Sequence, residues 1–163
     1  MSKPTEVLKT AADPAGRESS PETPFVHPIR VRWGDCDPAA IAYTPNIPAW
    51  AVEAIEAWWE HHAGVDWYHT NIDRNLGMPF VHMTLDLRAP VTPRHMLQCE
   101  VVLARRGRSS VTHRVQGYQN EILCFEGSFT AVFTDAKEMT PRLPPADLLS
   151  ALEKAESCSG ANT

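Results

Sequence analysis

The stretch "WGDCDPAAIAYTPNIPAW", residues 33–50, decides how the rest of the chain is read. It places Asp35, Cys36 and Asp37 in a short loop, with Pro38 and Pro45 stiffening its two ends. A long helical pattern follows at once. From Ile47 to His62 the residues Ile47, Trp50, Ala51, Ala54, Ile55 and Trp58 fall on neighbouring turns, and Val52 and Trp59 widen that apolar surface. Only Glu53, Glu56 and Glu60 form a polar stripe. A helix that is apolar around most of its circumference is a buried helix, so something must wrap around it. Carboxylates at this spacing repel, so one of the three is protonated, paired or facing a cavity.

The flanking segments can do the wrapping. "HPIRVRW" (27–33) alternates Ile29, Val31 and Trp33 with Arg30 and Arg32, which predicts a first strand. "VHMTLDLR" (81–88) alternates strictly, with Val81, Met83, Leu85 and Leu87 on one face. "MLQCEVVLA" (96–104) and "SVTHRVQGY" (110–118) have the same half-buried character, and "ILCFEGSFTAVFT" (122–134) puts Leu123, Phe125, Phe129, Ala131 and Phe133 on one face. The breaks "APVTPRH", "RRGRS" and "YQNEI" carry the Gly, Pro and polar residues that turns use. Strands from 96 onward are therefore expected as antiparallel neighbours. One buried helix against such a sheet is an α+β domain.

Composition sets the limits. With 163 residues the expectation is one domain and two tails: a disordered segment over 1–24, an ordered domain over 25–143, and a short helix with a loose end over 144–163. A net charge of −5 and pI of about 5.8 offer no basic patch for nucleic acid. No apolar run is long enough to cross a bilayer, and the opening residues lack the apolar core of a secretion signal. Four scattered cysteines show no metal-binding spacing and read as reduced thiols, which gives a cytoplasmic expectation.

The quoted loop resembles the opening motif of the hotdog-fold acyl-CoA thioesterases of the 4-hydroxybenzoyl-CoA thioesterase type, Asp-Cys-Asp-Pro followed by Pro-Asn and the helix. "MPFVHMTLDLRAPVTPRHML" and "RRGRSSVTHRV" are similar to later segments of that family, so the likeness spans about residues 27–135. It implies a long central helix wrapped by a five-stranded antiparallel sheet, hydrolysis of an acyl-CoA thioester without cofactor or metal, and a homodimer or homotetramer with its site between subunits. It also implies that Asp37 is the catalytic carboxylate and that the backbone N–H of Thr44 holds the oxyanion.

The chemistry of the residues agrees. A thioester carbonyl needs a nucleophile or an activated water, and Asp37 can attack directly or act as general base. Unpaired amides at a helix start can hold the developing oxyanion. Tyr43, Trp50, Val52 and Glu53 are the expected substrate contacts. Val52 stands where the 4-hydroxybenzoyl enzyme has an aspartate that receives the phenol, so the acyl group is expected to be another aromatic or a medium-chain one. Ala40 replaces the family's usual glycine. The resemblance makes Arg106, Arg108 and Ser109 the expected anchors for the CoA phosphates.

Each residue also has a plainer reading. Asp37 can be a helix cap, Cys36 a small buried thiol, and the basic turn a solvated surface. His61, His62, Asp66 and His69 are irregularly spaced at a helix end and read as surface residues rather than a metal site. Two other activities stay open: a hotdog enoyl-thioester hydratase or dehydratase, using His82 or His113 beside Asp37, and a non-catalytic acyl-thioester binding protein.

Overall fold

The computed structural model describes residues 24–159, so the expected N-terminal tail and the last four residues lie outside the described residues. The elements run β1 (Phe25–Ile29), α1 (Asn46–Ala63), α2 (Trp67–Ile72), β2 (Leu76–Gly77), β3 (Phe80–Leu87), β4 (Leu97–Arg106), β5 (Ser110–Gln119), β6 (Ile122–Val132), β7 (Thr134–Asp135) and α3 (Ala146–Ser159). Five strands form one antiparallel sheet in the order β1-β4-β5-β6-β3, and β2 pairs with β7 apart from it. The expected α+β arrangement is the one observed. Among the described residues no helix is long and apolar enough to cross a membrane.

The helix predicted over 47–62 forms with one extra residue at each end. It stops at Gly64, whose left-handed backbone (φ 63°) ends the helix without the penalty a side chain would incur. Ile47, Ala51, Ala54, Ile55, Trp58 and Trp59 are buried, and they share a core with Val101, Val115, Phe125 and Phe129 from the sheet and with Phe133 just after β6.

Two expectations about strands need correction. The first strand ends at Ile29, and Trp33–Asp35 form a 3-10 turn instead. The Asp35 carboxylate accepts from the Arg32 N–H at 2.7 Å, a local bond that competes with strand continuation and leaves Trp33 73% exposed. In β3 the alternation holds for Met83, Leu85 and Leu87, but a break in register between Phe80 and His82 takes Val81 out of it, and the expected burial fails. Met83 pairs with Phe129 and Leu87 with Phe125, so all four side chains share the core face. Yet Met83 and Leu87 are 55% and 54% exposed, because β3 is the edge strand.

The C-terminal helix extends further than composition suggests. Glu153–Ser159, read as part of a loose end, are helical. Leu148 and Leu152 are buried in the common core. Arg106, at the end of β4, grips Glu156 with Nε and Nη2, each at 2.9 Å, and lies 3.6 Å from Glu153. Polar residues that look solvated in sequence are thus held by a partner fifty positions away.

His113, a half-buried residue by its sequence pattern, is fully buried. Its ring lies edge-on to Trp58 (4.7 Å) and Trp59 (5.8 Å), and neither ring nitrogen has a hydrogen-bond partner. Burial, with the nearby His62 adding, pushes its pKa from 6.5 down to about 3. The unfolded chain therefore takes up a proton as pH falls below about 6.5, while the folded one does not. Stability should fall by up to about 1.4 kcal/mol per pH unit from there toward pH 3 on account of this residue. Urea denaturation between pH 7 and pH 4 should show a shallower acid limb for His113→Leu than for the wild type; parallel limbs would contradict this.

Candidate active site

The loop between β1 and α1 is held by its own backbone. Asp37 N–H donates to Ile41 O at 2.9 Å, Ala40 N–H donates to Asp37 O at 2.9 Å, and Cys36 bridges to Ala42. Ala42 N–H in turn donates to Val91 O at 2.8 Å, tying the loop to the segment after β3. The carbonyl of Asp35 receives both the Tyr43 N–H (2.8 Å) and the side-chain amide of Asn46 (2.9 Å). Asn46 is the first residue of α1, so this bond fixes the loop against the helix start. Its role was missed in the sequence reading, although the Pro-Asn pair was its signal.

Asp37 is half-buried, and one carboxylate oxygen accepts the Ala39 N–H at 2.8 Å. Its second oxygen has no bonding partner among the described residues. Cys36 points its thiol at the Arg32 carbonyl (3.5 Å), with no histidine bonded to it. The thiol therefore has no base to activate it. Thr44 sits at the start of α1, and no acceptor among the described residues takes its backbone N–H. Asp37 lies within the short hairpin closed by the Cys36–Ala42 bridge, and Thr44 follows two residues after it.

Two cavities lie near these elements. The smaller, about 250 Å³, has Thr44 on its wall together with Ile41, Ile47, Leu87, Pro90 and Cys124. The larger, about 530 Å³, opens between α1, α2 and the start of β3, and is walled by Glu56, Trp67, Tyr68, Ile72, Met78 and Phe80. The acidic stripe resolves accordingly. Glu53 pairs with His27 at 3.1 Å, on the β1 side of the helix. Glu56 faces the larger cavity, and partial burial, then Glu53 and Glu60, raise its carboxyl above the usual range.

The other expected contacts separate. Tyr43 is exposed beside the loop, while Trp50 and Val52 are half-buried and pack on the core. Neither Val52 nor Glu53 walls either of these cavities. Arg106 is held by Glu156 and Glu153, carboxylates of α3 that a CoA phosphate would have to compete with. Arg108 is exposed and Ser109 half-buried in the β4–β5 turn. Asp66 caps α2 by accepting the His69 N–H at 2.9 Å, and His62 stacks on Trp58, so both serve the fold. Among the described residues no group of three or more His, Cys, Asp or Glu side chains could hold a metal ion.

Ala40 has a left-handed backbone, φ 61°. This is the physical reason a glycine suits the position: a side chain here costs about 1–3 kcal/mol. Ala40→Gly should raise the melting temperature without changing the fold, and an unchanged or lower value would contradict the strained geometry.

Known proteins match both sequence and fold. Among curated proteins none matches. A thioesterase-superfamily protein from Jannaschia sp. CCS1 is 46% identical, with 85% of this chain and 96% of that chain covered and a TM-score of 0.78. The 1,4-dihydroxy-2-naphthoyl-CoA thioesterase from Synechocystis is 18% identical over 78% of this chain and 94% of its own, TM-score 0.72. The 4-hydroxybenzoyl-CoA thioesterase from Pseudomonas sp. strain CBS-3 is 22% identical over 78% and 97%, TM-score 0.70. These last two likenesses concern the fold, a hotdog. Residues 31–152 match the Thioesterase-like superfamily, and the chain belongs to it.

Proposed function

We propose that this protein hydrolyses an acyl-CoA thioester, with an aromatic or medium-chain acyl group, to the free acid and CoA. The observation that carries this reading is that one hydrogen-bonded loop, residues 35–46, holds both a carboxylate with a free oxygen and an amide with no acceptor. Asp37 supplies the attack, either on the carbonyl itself to give a mixed anhydride that water then opens, or by deprotonating a water. The Thr44 N–H receives the oxyanion as the carbonyl becomes tetrahedral, and its place at the start of α1 adds the helix's partial positive charge. The thiolate of CoA leaves as the carbonyl re-forms. Arg108 and Ser109 remain as anchors for the nucleotide phosphates. The hydratase reading loses one of its two histidines, since His113 is sealed against Trp58 and Trp59.

The reading includes a homodimer, in the cytoplasm. Met83 and Leu87 lie on the core face of β3 yet stand exposed at the sheet's edge, where a second copy of β3 can pair and cover them. Two-fold antiparallel pairing there sets the Phe80 end of one strand beside the Leu87 end of the other. Since Phe80 walls the larger cavity and Leu87 the smaller one with Thr44, each site would draw on both subunits.

Asp37→Asn keeps shape and loses charge, so kcat should fall by about a hundred- to ten-thousandfold while substrate still binds. Thr44→Ala keeps the amide and should retain most activity. Free-thiol release checks both, and wild-type rates for Asp37→Asn would remove this residue from catalysis. Light scattering should give at least a dimer for the wild type and a monomer for Met83→Lys/Leu87→Lys; a monomeric wild type would sink the shared-site arrangement.

A further inference from the structure

We infer that the larger cavity receives the far end of the acyl group and selects an end that carries an alkylammonium nitrogen. This rests on the thioesterase reading for the word "acyl", but the cavity's preference for a cation stands on its own residues. The wall combines the rings of Trp67, Tyr68 and Phe80 with a single charged side chain, Glu56. The indole N–H of Trp67 is buried, so the cavity meets only the carbon surface of that ring. Aromatic faces carry negative quadrupole density and attract a cation positioned over them, most strongly when it is shed of water.

Charge complementarity decides between occupants. No Lys, Arg or His belongs to the wall, and Glu56 makes no ion pair among the described residues. Its carboxyl is disfavoured as an anion by burial and by Glu53 and Glu60. A neutral apolar end would take water from that carboxyl without supplying an opposite charge, and an anionic end would add a further repulsion. A cation relieves all three costs together. A trimethylammonium or similar group also fills apolar space against Ile72 and Met78 with its methyl groups.

Position along the helix fits a far-end pocket. Glu56 lies one turn beyond Val52 on the same flank of α1, and about 15 Å from the helix start by the 1.5 Å rise per residue. Pairing of two β3 edges would instead bring the Asp37–Thr44 loop of one subunit toward the Glu56 cavity of the partner. The cation would then sit across the interface from the reacting carbonyl.

The test uses the full chain and no thioester. Choline and its neutral carbon isostere, dimethylbutanol, are titrated against wild type, Glu56→Gln and Tyr68→Ala, followed by calorimetry and by chemical shifts. The wild type should bind choline at least about tenfold more tightly than dimethylbutanol. Glu56→Gln should bring the two within about twofold, and Tyr68→Ala, at an exposed position, should weaken choline several-fold while leaving the melting temperature intact. Equal affinities in the wild type, no choline binding (as when a partner's side chain already fills the cavity), or choline binding indifferent to both substitutions would overturn the inference. Because no bond is broken in this assay, its failure is distinct from failure of hydrolysis. Choline preference in a protein that cleaves no acyl-CoA would keep the cation site and discard the thioesterase reading.

Discussion

Everything in this molecule depends on one contact, the apolar underside of α1 laid on the inner face of the sheet, over β1, β4 and β5. Ile55, Trp58 and Trp59 from the helix meet Val101, Val115, Phe125 and Phe129 from the sheet, all essentially without solvent. Each such side chain contributes about 1.5–3 kcal/mol on burial, enough together to fix the helix axis over the sheet. Once that axis is fixed, the start of α1 has a defined position, and the loop before it can be built to ångström tolerance. The same contact leaves β3 beyond the helix's cover, which is why its apolar side chains stay exposed.

The loop inherits its rigidity from this arrangement rather than from its two prolines alone. Asp35 offers one carbonyl to both Tyr43 and Asn46, and Val91 receives Ala42 from the far side. With so much of the backbone occupied, the Thr44 N–H and one oxygen of Asp37 are among the polar groups left over. A preorganised site needs such leftovers: donors and acceptors that the fold has positioned and not consumed. The left-handed Ala40 is strain held in place by the bonds around it.

How much of this could be read from residues alone follows the range of the interactions. The central helix was legible because its burial is written in a local 3.6-residue period. The antiparallel run from residue 96 onward was legible from period-two alternation and the turn residues between its strands. What was missed is long-range. Alternation in β3 gives the face of Met83 and Leu87, but exposure depends on which strand ends the sheet. Arg106 looks like a phosphate anchor until Glu153 and Glu156 arrive from another helix. Val52 and Glu53 lie within four residues of Glu56, yet of the three only Glu56 reaches one of these cavities, a difference set by distant segments that a local period does not record. The motif around Asp37 was legible through resemblance, whereas the hydrogen bonds that hold it had no periodic signature.

The central claim is that a carboxylate and an unclaimed amide on the loop before α1 cleave thioesters. The most direct measurement is release of free CoA thiol from a panel of aromatic, aliphatic and ammonium-bearing acyl-CoAs by the purified full chain. The account predicts turnover well above the uncatalysed rate for at least one of them, with the acid as co-product. A folded protein that binds acyl-CoAs across the panel and releases no thiol from any would contradict it.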